Sequence, residues 1–311
     1  MDSLAMAQTL TPFDFSSTKV LHLELTTRCQ ASCPQCDRMD PESGYSQDHD
    51  LSLKKVKELF PVEFVQGLDK MFACGTFGDP AAAQECLEIF RWFRSINPNI
   101  ILGMNTNGGL RDARFWHAMG ELLSGELDYC VFSIDGMAST NDIYRRGVMW
   151  HRVMLNAETF ITAGGRAHWD MLVFEHNQHQ VDLCREHARK MGFVWFRSKI
   201  SSRSLERPIE FLNMPQGHAP VIADGPVVCH ALKERSLYVS ATGDILPCCF
   251  IGGEVFKMDA ELGHLVKNPH DLVASFTQNP HPVCKRNCAT QQNKTNFTQQ
   301  FREETPLNIY F

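Results

Sequence analysis

The chain has 311 residues, 43% hydrophobic and 21% charged, with 36 acidic against 30 basic side chains and a formal net charge of −6. That composition excludes a disordered chain, which could not bury enough apolar surface, and argues against a general nucleic-acid binder, which needs a basic face for phosphates. No apolar run is long enough to cross a bilayer, and the opening MDSLAMAQTLTPFDFSS lacks the basic and apolar regions of a secretory signal; a cytoplasmic location without membrane contact is expected.

Strands and helices alternate along the first 200 residues. VLHLEL (20–25) reads as a buried strand and SLKKVKELF (52–60) as a helix capped by Ser52. KMFACG (70–75) is the next strand, and AAAQECLEIFRWFRSI (81–96) a helix entered through Pro80. Three more pairs follow: NIILGMNTNGG with RDARFWHAMGELL, LDYCVFSIDG with HRVMLNAETFITAGG, and AHWDMLVFEHN with VDLCREHARKMG, before the strand FVWFRSKI (193–200). Six βα repeats predict a parallel sheet covered by helices, a partial (β/α)6 TIM-like barrel. Polar residues gather at the strand ends, where such barrels carry their sites. Residues 201–225 are rich in turn formers and read as a linker. ERSLYVS, ATGD and ILPCCF (234–250) predict a hairpin, followed by a short helical piece and a Cys-rich end. The expected divisions are 15–200 for the barrel, 226–292 for a small appendage and 293–311 for a polar tail.

Twelve cysteines in a reducing compartment point to metal or catalysis rather than to six disulfides. Cys74, Cys86, Cys130 and Cys184 stand alone and read as small core residues. Cys29, Cys33 and Cys36 share one loop after the first strand, spaced by three residues and then two. A closed zinc site wants four ligands, and no histidine is near, so this loop alone is one short. A four-iron cubane is suited to three cysteines, because its fourth iron then stays open. A zinc loop completed from a distant residue is the alternative.

With these residues the chain resembles the radical S-adenosylmethionine (radical SAM) enzymes over roughly residues 20–290. The resemblance implies a [4Fe-4S] cluster on Cys29, Cys33 and Cys36 whose open iron binds SAM. One electron would then cleave SAM to a 5′-deoxyadenosyl radical that abstracts a substrate hydrogen. Phe77-Gly78-Asp79-Pro80 is similar to the family's Gly-Gly-Glu-Pro element, which meets the SAM ammonium; it departs at Phe77 and in having Asp for Glu. Asn105 and Asn107 match the third strand end and Ser133 and Asp135 the fourth. Arg145 or Arg146 matches an arginine that pairs with the SAM carboxylate. Many members carry an aromatic residue before the third cysteine, where this chain has Gln35, so Leu172 or Val173 is expected against the adenine.

The C-terminal part resembles the twitch appendage, a shortened SPASM domain, in which Cys229, Cys248, Cys284 and Cys288 would hold an auxiliary [4Fe-4S] cluster; zinc could use the same thiolates. Cys249 is left as a possible hydrogen donor, a packed thiol, or a ligand in place of Cys248. His117, His151, His168, His176 and His179 show no ligand spacing, although Glu175-His176-Asn177 at a strand end is placed to touch substrate. The expected substrate is a ribosomally made peptide (epimerisation, crosslinking or backbone excision), with dehydrogenation or epimerisation of an aminoglycoside or sugar-type metabolite as the alternative. A flavodoxin- or ferredoxin-type reductant and a separate peptide-recognition protein are the implied partners. The rival readings are an Fe–S electron carrier or redox sensor, and a zinc-stabilised binding module.

Overall fold

The structure is a computed structural model that describes residues 17–40, 49–201, 208–217, 225–257 and 281–289. The tail expected over 293–311, and residues 202–207 and 218–224 of the expected linker, lie outside the described residues. The first two thirds alternate as read: β1 (Val20–Leu23), α1 (Leu53–Leu59), α2 (Val62–Gln66), β2 (Lys70–Cys74), α3 (Cys86–Ile96), β3 (Ile101–Thr106), α4 (Ala113–Leu122), β4 (Tyr129–Ser133), α5 (Asn141–Tyr144), α6 (Trp150–Thr162), β5 (Ala167–Val173), α7 (Val181–Met191) and β6 (Trp195–Ile200). Then come α8 (His230–Glu234), the hairpin β7 (Ser236–Val239) and β8 (Ile245–Leu246), α9 (Cys249–Lys257) and α10 (Pro282–Cys288). Among the described residues no helix is long and apolar enough to cross a membrane.

All eight strands form one sheet in the order β6-β5-β4-β3-β2-β1-β7-β8, parallel except for the antiparallel β7–β8 hairpin. The hairpin therefore extends the same sheet on the far side of β1. Strand alternation sorts the side chains. Leu21, Leu23, Met71, Leu102, Phe132, Trp169 and Met171 turn to the helices and join the buried core with Trp116, Phe160 and Phe193. The opposite parity, His22, Cys74, Asn105, Ser133, Asp170 and Lys199, lines one cavity, so β1 to β6 curve around a common interior.

Below that cavity lies a floor of rings. His22 stacks on Phe72 at 4.3 Å and meets Tyr238 edge-on at 5.0 Å. Tyr129 stacks on His168, which stacks on Trp195, and the Lys70 ammonium lies over both Phe72 and Tyr129. Burial, above all, pushes the His22 imidazole down to about 4 and that of His168 to about 3, so both rings are neutral at pH 7.

Local signals hold in part: β8 stops at Leu246, and Cys249 and Phe250, read as strand, open α9. Ser52 accepts from the Lys55 N–H at 3.1 Å and caps α1. The helix expected from residue 81 instead begins as a 3-10 turn over Pro80–Ala82, and α3 starts at Cys86. The cause is distant in sequence: the Arg111 guanidinium takes the carbonyls of Ala81 and Ala83, which a continuous helix would need for itself.

Gly103 marks where the floor closes. A Cβ there would lie 2.2 Å from the Tyr129 ring, which fills the place of a side chain on β3. Gly103→Ala should lower stability by about 2–3 kcal/mol through overpacking, and adding Tyr129→Leu should restore part of it. Urea unfolding of the two variants checks this; an unchanged midpoint for Gly103→Ala would refute the packing described.

Candidate functional site

The loop after β1 runs across the strand ends, and Cys29, Cys33 and Cys36 all line the interior cavity, about 560 Å³ in volume. Its shape is held from several sides. The Cys36 N–H closes a turn onto the Cys33 carbonyl at 3.0 Å, Arg38 Nη1 donates to the Cys29 carbonyl at 3.0 Å, and the Ser32 N–H donates to the Arg146 carbonyl at 2.9 Å. Donors also point at the sulfurs: the Ala31 N–H and Asn107 Nδ2 approach Cys29 Sγ at 3.4 and 3.5 Å, and Arg145 Nη1 lies 3.9 Å from Cys33 Sγ. Burial pushes the Cys29 thiol up to about 12 and raises that of Cys33, where Arg145 opposes the shift. Such thiols keep their protons until a metal displaces them.

The second strand end packs backbone against backbone on this loop. A Cβ on Gly78 would lie 1.9 Å from the Thr26 carbonyl oxygen, so only glycine fits there. Phe77 and Gly78 give their N–H groups to Glu24 Oε1 at 2.6 and 3.2 Å, and the Tyr238 hydroxyl donates to Glu24 Oε2. Glu24 thus ties this loop to the C-terminal hairpin. The Asp79 carboxylate, expected to meet a ligand, is already engaged: Oδ1 accepts from the Ala81 N–H and Thr106 Oγ1, and Oδ2 from the Asn107 N–H at 2.7 Å. Asp79 still lines the cavity with Phe77 and Gly78, but its first work is to fasten the end of β3.

Of the remaining candidates, Asn105, Asn107, Ser133 and Arg145 line the cavity. Asn105 Oδ1 is buried without a hydrogen-bond partner among the described residues. Arg145 and Arg146, equivalent in sequence, separate: Arg145 faces inward, whereas Arg146 is exposed and stacks over Phe211. Asp135 is fully buried and lies outside the lining. It accepts from Arg145 Nε at 2.6 Å and from the Leu172 N–H at 2.6 Å, so it positions the arginine. Val173, expected against the adenine, shares the parity of Trp169 and Met171 and is buried toward the helices; Leu172 is the residue on the cavity wall. Gln35 is completely buried and accepts from Ser201 Oγ at 3.1 Å.

The second cysteine set gathers around a second, mostly apolar cavity of about 320 Å³, lined by Cys229, Cys248, Cys284 and Cys288. Residues 227–229 and α10 are joined by a Val227–Ala289 bridge and by the Val228 N–H donating to the Cys288 carbonyl at 3.0 Å. Cys249 and Cys74 line both cavities and stand in the wall between them. Cys74, read as a core thiol, is therefore a lining residue, whereas Cys86, Cys130 and Cys184 are buried as expected. None of the twelve cysteines is in a disulfide. Among the described residues no three His, Cys, Asp or Glu side chains converge as a single-ion site. The donor chemistry of both sets, thiols lining a cavity, fits an iron–sulfur cluster.

Sequence reasoning missed Glu24, Tyr238, Asp170 and Lys199. The last two were marked by charge on alternate positions of otherwise apolar strands, which in a curved sheet means the interior.

No protein-family model matches the chain, and no curated protein does. Its structure is similar to that of SuiB from Streptococcus suis bound to S-adenosylmethionine, at 15% identity and a TM-score of 0.59 over 94% of this chain and 77% of that one. It is also similar to SuiB bound to precursor peptide SuiA, at 15% identity and 0.55 over 80% and 67%, and to native anSMEcpe with bound AdoMet, at 14% identity and 0.57 over 92% and 95%. At these identities the likeness is one of fold, and it is the barrel-type fold that the radical SAM resemblance implied.

Glu24 gives a pH test of this arrangement. Burial pushes its carboxyl up to about 7, against the pull of Tyr238 and the loop N–H groups. A raised folded-state pKa means that folding favours the neutral form, so its stabilisation is complete below about 4.5 and is lost as pH rises through about 7. Glu24→Gln removes that dependence. From about pH 5 to about pH 8 the native chain should lose roughly 3 kcal/mol relative to the variant in urea unfolding; parallel curves for the two would contradict it.

Proposed function

We propose that the chain is a radical SAM enzyme acting on a ribosomally made peptide. The observation that carries the reading is the convergence, on one cavity, of three loop thiols, an inward arginine fixed by a buried aspartate, and the strand-end residues Asn105 and Ser133. Cys29, Cys33 and Cys36 would hold the SAM-binding [4Fe-4S] cluster. When bound, the cluster and SAM together supply a low-potential electron and, from the cleaved sulfonium, a carbon radical able to remove a hydrogen atom.

The chain's own residues bind, orient and shield. Arg145, held by Asp135, presents a guanidinium suited to the SAM carboxylate. Since the Asp79 carboxylate is engaged, the Phe77–Pro80 loop would meet the ammonium through backbone oxygens. Asn107 and Arg145 also place N–H donors toward the thiolate sulfurs, a contact that tunes cluster potential. Cys229, Cys248, Cys284 and Cys288 would hold an auxiliary [4Fe-4S] cluster in a twitch domain over 226–292. Burial raises the Cys249 thiol, which keeps its S–H intact beside the first cavity and supports a role as hydrogen donor. The peptide reading is supported by the fold shared with SuiB, solved bound to precursor peptide SuiA. A flavodoxin- or ferredoxin-type reductant, a separate recognition protein and a cytoplasmic location complete the proposal.

Anaerobic reconstitution with iron and sulfide, then dithionite and SAM, tests it: 5′-deoxyadenosine should form, and Cys33→Ala should abolish it. No product from a fully reconstituted chain would overturn the reading. Arg145→Met should weaken SAM binding at least about tenfold, the loss of a charge-assisted pair, while Arg146→Ala leaves it within about twofold; equal effects would contradict the assignment. Cys248→Ala should reduce iron from about eight to about four per chain, and Cys249→Ala should leave it unchanged; the reverse would make Cys249 the ligand.

A further inference from the structure

We propose that Gln30 is a positioning residue for the loop cluster: it locks the Asn107 side chain with one amide N–H toward Cys29 Sγ, and so sets the potential at which that cluster takes up an electron. Two side-chain amides meet between the thiol loop and the end of β3. Gln30 Nε2 donates to Asn107 Oδ1 at 2.7 Å, and Asn107 Nδ2 donates to Gln30 Oε1 at 3.3 Å. The Gly109 N–H also donates to Asn107 Oδ1, at 2.9 Å. A backbone N–H can only donate, so this bond decides which end of the Asn107 amide is oxygen. The other end, the nitrogen, is the one that approaches Cys29 Sγ, at 3.5 Å.

The pair is fixed from both sides. Asn107 is buried, and its backbone N–H is held by Asp79 Oδ2. The Gln30 backbone lies against Gly147, where a Cβ would come within 2.9 Å of the Gln30 carbonyl oxygen. Gly109 leaves the room the amides need: a Cβ there would lie 2.7 Å from Gln30 Nε2 and 3.0 Å from Asn107 Oδ1. The last torsion of an asparagine is soft. Gly109 holds only its oxygen, whereas Gln30 bonds both ends and stops the rotation. In the metal-free chain the Cys29 thiol donates to Gln30 Oε1 at 3.8 Å. A sulfur that ligates iron has lost that proton and becomes an acceptor. The Ala31 N–H supplies one donor through the rigid backbone; Asn107 supplies the one that depends on a side chain. Such a bond stabilises the more negative, reduced cluster and raises its potential.

That an iron–sulfur cluster sits on the loop rests on the reading above; the amide pair does not. The test needs no turnover. The reconstituted full chain, without SAM, is titrated anaerobically against redox mediators and followed by electron paramagnetic resonance. The loop cluster's signal is the one that Cys33→Ala lacks. At a fixed solution potential Gln30→Leu should lower the ratio of reduced to oxidised loop cluster at least about threefold, roughly 30 mV for one electron. Asn107→Leu should shift it the same way, and in that background Gln30→Leu should change it by less than about 1.5-fold, because Gln30 acts through Asn107. The potential is read on whatever fraction carries the cluster, so partial loading does not hide the result. The native chain gives an independent reading. Grown with asparagine labelled by 15N in its side-chain amide, the reduced protein should show 15N hyperfine coupling to the loop cluster. Asn107→Asp, which keeps the Oδ1 acceptor, should lose it. An unchanged or raised ratio in Gln30→Leu, equal shifts in the two backgrounds, or no amide coupling in the native chain would each overturn the proposal. With the cluster assembled and SAM cleaved, those outcomes leave the enzyme reading standing; a loop that assembles no cluster sinks both.

Discussion

The constraint on which this molecule depends is strand parity in a curved parallel sheet. A strand offers one set of alternate side chains to the helices and the other to the interior, and neighbouring strands in register repeat the choice. Here much of the interior set is polar or aromatic: rings at the floor, then Asp170 with Arg197, then Asn105, Ser133 and Lys199 near the strand ends, with Val131 and Leu172 among them. Buried polar groups of this kind are costly unless they are paired. Most are paired; Asn105, whose Oδ1 has no hydrogen-bond partner among the described residues, stands in the cavity wall.

Three buried carboxylates hold the cavity wall together, each by a different route. Glu24 connects the second strand end to the C-terminal hairpin, Asp79 connects it to the third strand end, and Asp135 connects the fourth strand end to Arg145 and β5. None of them is needed as a ligand for the cavity to work as proposed. Their work is to keep the thiol loop, the glycine-bearing turn and the arginine in fixed relation, which is the preorganisation that a short-lived, reactive species demands. Cys74 and Cys249 line both cavities, so the two thiol sets lie in adjoining cavities.

Much of this could be read from the chain. The βα alternation, the hairpin and the thiol loop are all where periodicity and spacing place them. What escaped was set by contacts distant in sequence. Arg111 delays α3 by capturing carbonyls that a local reading gives to the helix. Arg145 and Arg146 are adjacent on a turn whose direction only the folded chain decides. On β5, His168 and Asp170 mark the interior parity, and that parity puts Leu172 rather than Val173 on the cavity wall. The polar residues of β5 and β6 carry information that apolar periodicity alone does not use.

The central claim is that the three loop sulfurs leave one iron open to a small molecule bound beside Arg145. Electron–nuclear double resonance on the reduced, reconstituted protein, with SAM labelled by 15N in its amino group and 17O in its carboxylate, addresses it directly. The account predicts hyperfine coupling from both labels, with the 17O signal altered in Arg145→Met. A reduced cluster that shows neither coupling at saturating SAM, or a loop that takes up zinc in place of iron, would contradict it.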